Sequence, residues 1–527
     1  MRLVIRYNLA IVLLVMAMAG APSGHAQLIE ASFAVDPALY ITAPSNDTNG
    51  SLYSRDYYRH FQVKAYRDSA YVASIKNTNY EYNATSQYTL LTYYINYHLK
   101  FFQPAFGLQL SRTVNKELCF FLDSCRISSY NVVSRIPATW SHIRPFVSLR
   151  EGHFGFPRSA LSYVNNYPYA PSSSFPSNES TFGWLTGIVM SCLNPWSGDS
   201  LAIYAHRHGW FREVSGGSWH SDIENSRLMG TATFAQLMSM PQFRERLLTM
   251  RRQTATLLNI VDSTYRTTDD LLTNETLLNQ AASHLFPGFC ESDGGFQSDM
   301  WQYMQLSSLV DSLPASAPFN ATYIGLGSPS TAFEDIIQMN IDPNKTPFVY
   351  QLVNTLEQCC EQLCTRVQAP AQHARRPYEL FNTHPITTEF GSELINGVSL
   401  HASKSMARAF ALMMLVPERR DTLLQMGYQY GMYRVIGGVD WYSEFEAGRS
   451  IANMAFALLA SCGDFVELVG LAQDEYNYMQ DPIITDLPGI AADAPETDQH
   501  WFTIDGRRAT PSSRGVIVGR DQKILKP

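Results

Sequence analysis

Two passages decide how this chain is read. Phe211 to Gly230 runs "FREVSGGSWHSDIENSRLMG", and Tyr433 to Ala452 runs "YRVIGGVDWYSEFEAGRSIA". Arg212, Trp219, Ser221, Asp222 and Arg227 correspond to Arg434, Trp441, Ser443, Glu444 and Arg449, each 222 residues later. The match extends upstream without a gap. "LNPWSGDSLAIYAHRHGWFREVSGG" from Leu193 aligns with "LVPERRDTLLQMGYQYGMYRVIGGV" from Leu415, and "FPSNESTFGWLTGIVMS" from Phe175 with "GVSLHASKSMARAFALM" from Gly397. Further up, "SHIRPF" ending at Phe146 pairs with "HARRPY" ending at Tyr378, now 232 residues apart. A unit of that length can own a core, so the period reads as a duplicated domain and not as a solenoid repeat.

The division expected is a leader at 1–26, a first domain at 27–285, a second at 286–480, and a linker with a tail at 481–527. The leader has a basic start, the apolar run "NLAIVLLVMAMAGA" and small residues before a cleavage point at Ala26. That run is too short for a permanent span, and no later apolar run reaches the ~18 residues a spanning helix needs. The mature protein is therefore expected to be soluble and exported. A net charge of −8 gives no global reason to bind nucleic acid. Eight Cys suit an oxidising compartment. Cys119 with Cys125, or Cys359 and Cys360 with Cys364, could bridge, and buried free thiols fit equally well.

"TFGWLTGIVMSCL", "SRLMGTATFAQLMSM" and "SMARAFALMMLV" are apolar stretches of helix length without strand alternation. Ser180 or Thr181, and Ser403 or Ser405, are candidate caps. The Trp-x-Ser-acid motif should sit at a helix start. The expected fold is all-α: two helical bundles joined near "CESDGGFQSDM". The tail, "HWFTIDGRRATPSSRGVIVGRDQKILKP", reads as short β segments around Gly and Pro turns. It resembles the C-terminal β segments carried by many exported proteins of some Gram-negative bacteria. That implies the periplasm, the cell surface or the medium.

The order Arg-Pro, Pro-Ser-x-x, Leu-x-Pro and Arg-x-x-x-Gly-x-x-Trp-x-Ser-Asp resembles bacterial class A non-specific acid phosphatases. These belong to the type-2 phosphatidic acid phosphatase superfamily, which also holds the vanadium haloperoxidases. The resemblance implies a helical bundle, no cofactor or metal, and a phosphate or phosphomonoester ligand. The family pattern is Lys-x6-Arg-Pro, Pro-Ser-Gly-His and Ser-Arg-x5-His-x3-Asp. Lys and two Arg neutralise the phosphoryl oxygens, and Ser and Gly add donors. The last His attacks phosphorus while the Asp orients it, and the other His is general acid and then base.

Carried over, the first copy has Pro137 in place of the Lys, keeps Arg144, Ser177 and Arg212 as phosphate ligands, and replaces the acid His by Glu179. Ser218 stands where the nucleophile belongs, ahead of the orienting Asp222. The second copy has Ala369 for the Lys, keeps Arg376, Ser399 and Arg434, retains the acid as His401, and carries Asp440 and Glu444 as nucleophile and orienting acid. Neither copy has the nucleophilic His, a loss that costs orders of magnitude in rate.

Several assignments have plainer readings beside them. Glu179 is either a general acid with a raised pKa or the ion-pair partner of Arg144 or Arg212. Arg212 and Arg434 either grip phosphate or pair with Asp222 and Glu444. Trp219 and Trp441 read as core. His220 should point away from the site, as an exposed or capping residue. His206 and His208 read as surface residues and not as a metal pair. Two function classes follow: a pseudoenzyme with a binding or structural envelope role, or a phosphomonoesterase of altered activity around His401 and Asp440. A homo-oligomer and an envelope partner are compatible with either. A haloperoxidase would need the missing His.

Overall fold

The computed structural model describes residues 28–29, 34–64, 99, 101–149, 173–214, 216–260, 265–308, 330–367, 375–383, 397–480, 502–503, 515–518 and 523–526. The leader, Ala369 and the linker from 481 to 501 lie outside these residues.

The fold is all-α with a short β tail. The first half supplies α1 (Ser51–Lys64), α2 (Lys116–Val133), the one-turn α3 (Pro145–Ser148), α4 (Asn178–Leu193), α5 (Gly198–Val214), α6 (His220–Met238) and α7 (Pro241–Leu257). Two short helices follow, α8 (Thr268–Thr273) and α9 (Glu275–Ala282). The second half supplies α10 (Phe296–Ser307), α11 (Ser330–Ile337), α12 (Pro347–Val367), the one-turn α13 (Pro377–Leu380), α14 (Leu400–Leu415), α15 (Arg420–Ile436), α16 (Tyr442–Ala460) and α17 (Phe465–Gln480). Helices α4, α5 and α6 start and end 222 residues before α14, α15 and α16. In the tail, β1 (Phe502–Thr503), β2 (Gly515–Val518) and β3 (Lys523–Lys526) form an antiparallel sheet in that order, with Phe502 opposite Val518 and Gly515 opposite Lys526.

Local sequence explains the repeated helices. Ser177 caps α4 by accepting from the Ser180 N–H, and Ser399 caps α14 by accepting from the Ala402 N–H. The caps thus lie upstream of the serines and threonine favoured by sequence, which sit inside the helices, because the side chain must precede the first turn it closes. Asn194 and Val416 end both helices, and Pro195 and Pro417 follow, unable to continue them. The interior of α14 is Ala, Met and Leu, which favour helix. Nearly every residue of α6 and α16 is buried, which explains why neither shows a polar face.

One hydrophobic cluster runs through both halves, from Phe102, Trp184 and Phe234 to Phe410, Phe456 and Phe465. Helix α6 packs on α14 and α16, while α8 and α9 pack on α12. Thr231 and Asn453, equivalent positions of α6 and α16, hydrogen bond to each other at 2.9 Å. Buried charge also crosses the junction, where Arg55 meets Glu446 at 3.0 Å. All eight Cys are free, seven of them buried. Among the described residues no single helix is long and apolar enough to cross a membrane.

Candidate functional site

Each half builds a cradle from three pieces of chain: the Arg-Pro turn ahead of α3 or α13, the capped start of α4 or α14, and the turn between α5 and α6 or α15 and α16. That last turn needs glycine. Gly216 and Gly438 have φ of 75° and 74°, where a side chain costs about 1–2 kcal/mol. Their carbonyls accept from the Phe146 and Tyr378 N–H groups and so tie the turn to the Arg-Pro piece. Trp219 and Trp441 are buried, as expected, and donate Nε1–H to the Ile143 and Arg375 carbonyls at 2.7 and 2.8 Å. Both motifs sit at helix starts: Asp222 and Glu444 accept from the backbone N–H of their own Trp at 2.8 and 2.9 Å.

In the second cradle the groups converge on a carboxylate of the chain itself. Arg376 approaches Asp440 Oδ1 at 3.0 Å, and Arg434 Nε approaches Oδ2 at 3.3 Å. Ser399 donates its hydroxyl to Oδ2 at 2.6 Å. Arg376 also reaches Glu444 at 2.9 Å, and Glu444 accepts the Gly397 N–H at 2.8 Å. Burial raises the Asp440 carboxyl, but Arg434, Arg376 and the Ser399 hydroxyl outweigh it and hold it below the usual carboxylate range. Glu444 moves the other way, raised by burial and by Asp440 although Arg376 opposes it. His401 is half-buried on the first turn of α14 and stacks on Tyr430, with ring centroids 6.3 Å apart. Its charge adds to the field that lowers Asp440.

The first cradle is arranged differently. Arg144 donates to the Gly217 and Ser173 carbonyls at 2.7 and 3.1 Å. Arg212 lies 3.9 Å from Glu179, and both side chains are about 30% exposed, 28% and 30%. The ion-pair reading of Glu179 therefore fits Arg212, in a loose and solvated form. Ser177 bonds the Ser180 hydroxyl at 2.8 Å. Ser218 is buried, and its hydroxyl has no hydrogen-bond partner. Asp222 meets a residue that sequence reasoning passed over: His142 Nδ1 lies 2.8 Å from its Oδ1, with both side chains fully buried. Because Asp222 is an acceptor there, His142 carries its proton on Nδ1. Burial works against a charged His142, but Asp222 outweighs it and raises the pKa.

Asp222 and Glu444 are thus each met from the Arg-Pro turn, by His142 in one half and by Arg376 in the other. Arg434 meets Asp440, while Glu444 is met by Arg376. A signal for His142 existed, since it stands two residues before Arg144 in the quoted "SHIRPF", opposite Ala374.

Other expectations are corrected. His206 and His208 are buried and not on the surface, because α5 is covered on both sides. His206 packs beside His284, with ring centroids 5.6 Å apart. His220 does point away from the cradle, but half-buried and bonded to Glu213 at 3.0 Å. No group of three or more His, Cys, Asp or Glu suited to a metal occurs among the described residues.

Comparison with known proteins finds relatives among the acid phosphatases. The chain is 27% identical over 156 residues to a non-specific acid phosphatase of Providencia stuartii, covering 29% of this chain and 63% of that protein. It is 27% identical over 148 residues to one of Salmonella typhi, covering 28% and 59%. An acid phosphatase of Zymomonas mobilis is 23% identical over 258 residues, covering 47% and 87%. The chain thus spans about six-tenths of the length of the first two. No family model matches it. The chain is a distant relative of the bacterial non-specific acid phosphatases.

Proposed function

We propose that the chain is an exported pseudophosphatase made of two tandem copies of an acid-phosphatase-like domain, 27–285 and 286–480, with a binding or structural role in the envelope. One copy keeps a cradle able to hold a phosphate group, and the other has closed its own. The observation that carries this reading is the Asp440 carboxylate, which lies in the grip of Arg376, Arg434 and Ser399 where a phosphoryl group would otherwise lie. An anion so placed repels a phosphate dianion at any pH where both are charged.

The rival reading makes Asp440 a nucleophile with His401 as acid. It fits the geometry poorly. Both carboxylate oxygens are engaged, and the arginines that lower the pKa also lower the basicity that attack on phosphorus requires. In the first copy Arg144, Arg212 and the unpartnered Ser218 hydroxyl can hold a phosphate, while no imidazole stands at the nucleophile position.

The test is an aryl-phosphate assay on the mature protein, with phosphate binding followed by calorimetry. The expected result is no turnover and one phosphate bound per chain. Turnover that disappears in both His401→Ala and Asp440→Asn would overturn the proposal.

A further inference from the structure

Two buried aspartates on helices outside the sequence repeat touch the cradles in the same way. Asp56 of α1 accepts the Ser221 N–H on Oδ1 at 3.2 Å and the Ser221 hydroxyl on Oδ2 at 2.7 Å. Asp299 of α10 accepts the Ser443 N–H on Oδ1 at 3.0 Å and the Ser443 hydroxyl on Oδ2 at 2.5 Å. The oxygen assignments match. The sequence registers do not: Asp56 is 165 residues from its serine and Asp299 is 144 from its own. The same fork has thus been kept while the intervening chain changed length.

Both carboxylates are at most 2% exposed, so each carries a desolvation cost. What works against it is a helix N-terminus, although at Asp299 burial still wins and pushes the carboxyl up to about 7. The serine amide lies in the first turn of α6 or α16, where N–H groups lack intrahelical partners and the helix dipole favours an anion. The residue after each serine is the acid of the cradle, Asp222 or Glu444. We propose that Asp56 and Asp299 are positioning residues, which lock the Trp-x-Ser-acid turn from a separate helix and so fix where Asp222 and Glu444 present their carboxylates to His142 and Arg376. For the first copy this rests on the reading that its cradle holds phosphate.

The experiment compares the full mature chain with Asp56→Ala, Asp56→Asn, Ser221→Ala and Asp299→Ala. Two quantities are read: inorganic phosphate affinity by calorimetry, and amide hydrogen exchange along the chain. Asp56→Ala should weaken phosphate binding about tenfold, the loss of a charge-assisted hydrogen-bond pair. Asp56→Asn, which keeps an acceptor for the amide, should restore most of it, and Asp299→Ala should leave it unchanged. Exchange protection should fall at 219–223 in Asp56→Ala and Ser221→Ala, and at 441–445 in Asp299→Ala. Unchanged protection in those windows, or a loss spread evenly over the chain, overturns the positioning role. So does full phosphate affinity in Asp56→Ala despite lost protection. A wild-type chain that binds no phosphate overturns the proposed function, while the exchange pattern still decides the role of the two aspartates.

Discussion

The two cradles share one frame and differ in what stands at a single position. In the first, residue 218 is a serine whose buried hydroxyl meets nothing; in the second, residue 440 is an aspartate that meets two arginines and a serine. The frame tolerates both because its parts are held by backbone contacts of the Gly turn and the Arg-Pro turn, and not by the group in the middle. On the proposed reading, one scaffold thus accommodates a bare hydroxyl in one half and a carboxylate that mimics the ligand in the other.

The strongest way to break the comparison is to place an imidazole at residue 440. Asp440→His places an imidazole four residues before Glu444 and beside Arg434, with His401 available as acid. Aryl-phosphate turnover should then appear from a null background, and should vanish when His401→Ala is added. Next comes Asp440→Ala, which leaves Arg376 and Arg434 buried without an anion. Unfolding should show a loss of about 3–5 kcal/mol. Added phosphate should recover part of that loss, and calorimetry should detect a second bound phosphate.

A smaller effect is expected in the first cradle. Asp222 raises the His142 pKa above its ordinary 6.5. The stability this pair contributes is therefore complete below about pH 6.5 and is lost as pH rises through the folded-state value. His142→Asn should cost about 2 kcal/mol at pH 6. It should also remove the stability that the wild type is expected to lose in thermal melts as pH rises above about 6.5. The smallest effect belongs to Glu179→Gln. Its contact with Arg212 is long and solvated, so stability should change by less than about 0.5 kcal/mol. Phosphate should bind somewhat more tightly, because a negative charge leaves the rim.

Much of this was legible in the sequence. The 222-residue offset places α4, α5 and α6 against α14, α15 and α16 end for end, since Ser177 with Pro195 and Ser399 with Pro417 punctuate both runs alike. The quoted motifs also mark the pieces of chain that meet in each half, since Arg376 and Arg434 converge on Asp440 while Arg212 lies near Glu179. What escaped notice are contacts that depend on how distant pieces meet. Asp56 and Asp299 lie in helices outside the quoted repeats, and their shared fork shows in three dimensions. His142 looked like a neighbour of the Arg-Pro motif, and only the fold brings it to Asp222. His206 and His208 read as surface residues because polarity, taken alone, says nothing about which helix will cover them.

The hydrogen bond between Thr231 and Asn453 carries a consequence of its own. Two separate identical subunits must bring identical side chains to their symmetry axis. Here two positions 222 residues apart hold a hydroxyl and an amide, a pairing that two copies of one chain meeting at the same position could not make. Within one polypeptide, each half is free to differ from the other at such a contact. The same liberty lets one cradle carry Ser218 where the other carries Asp440, held by Arg376 and Arg434.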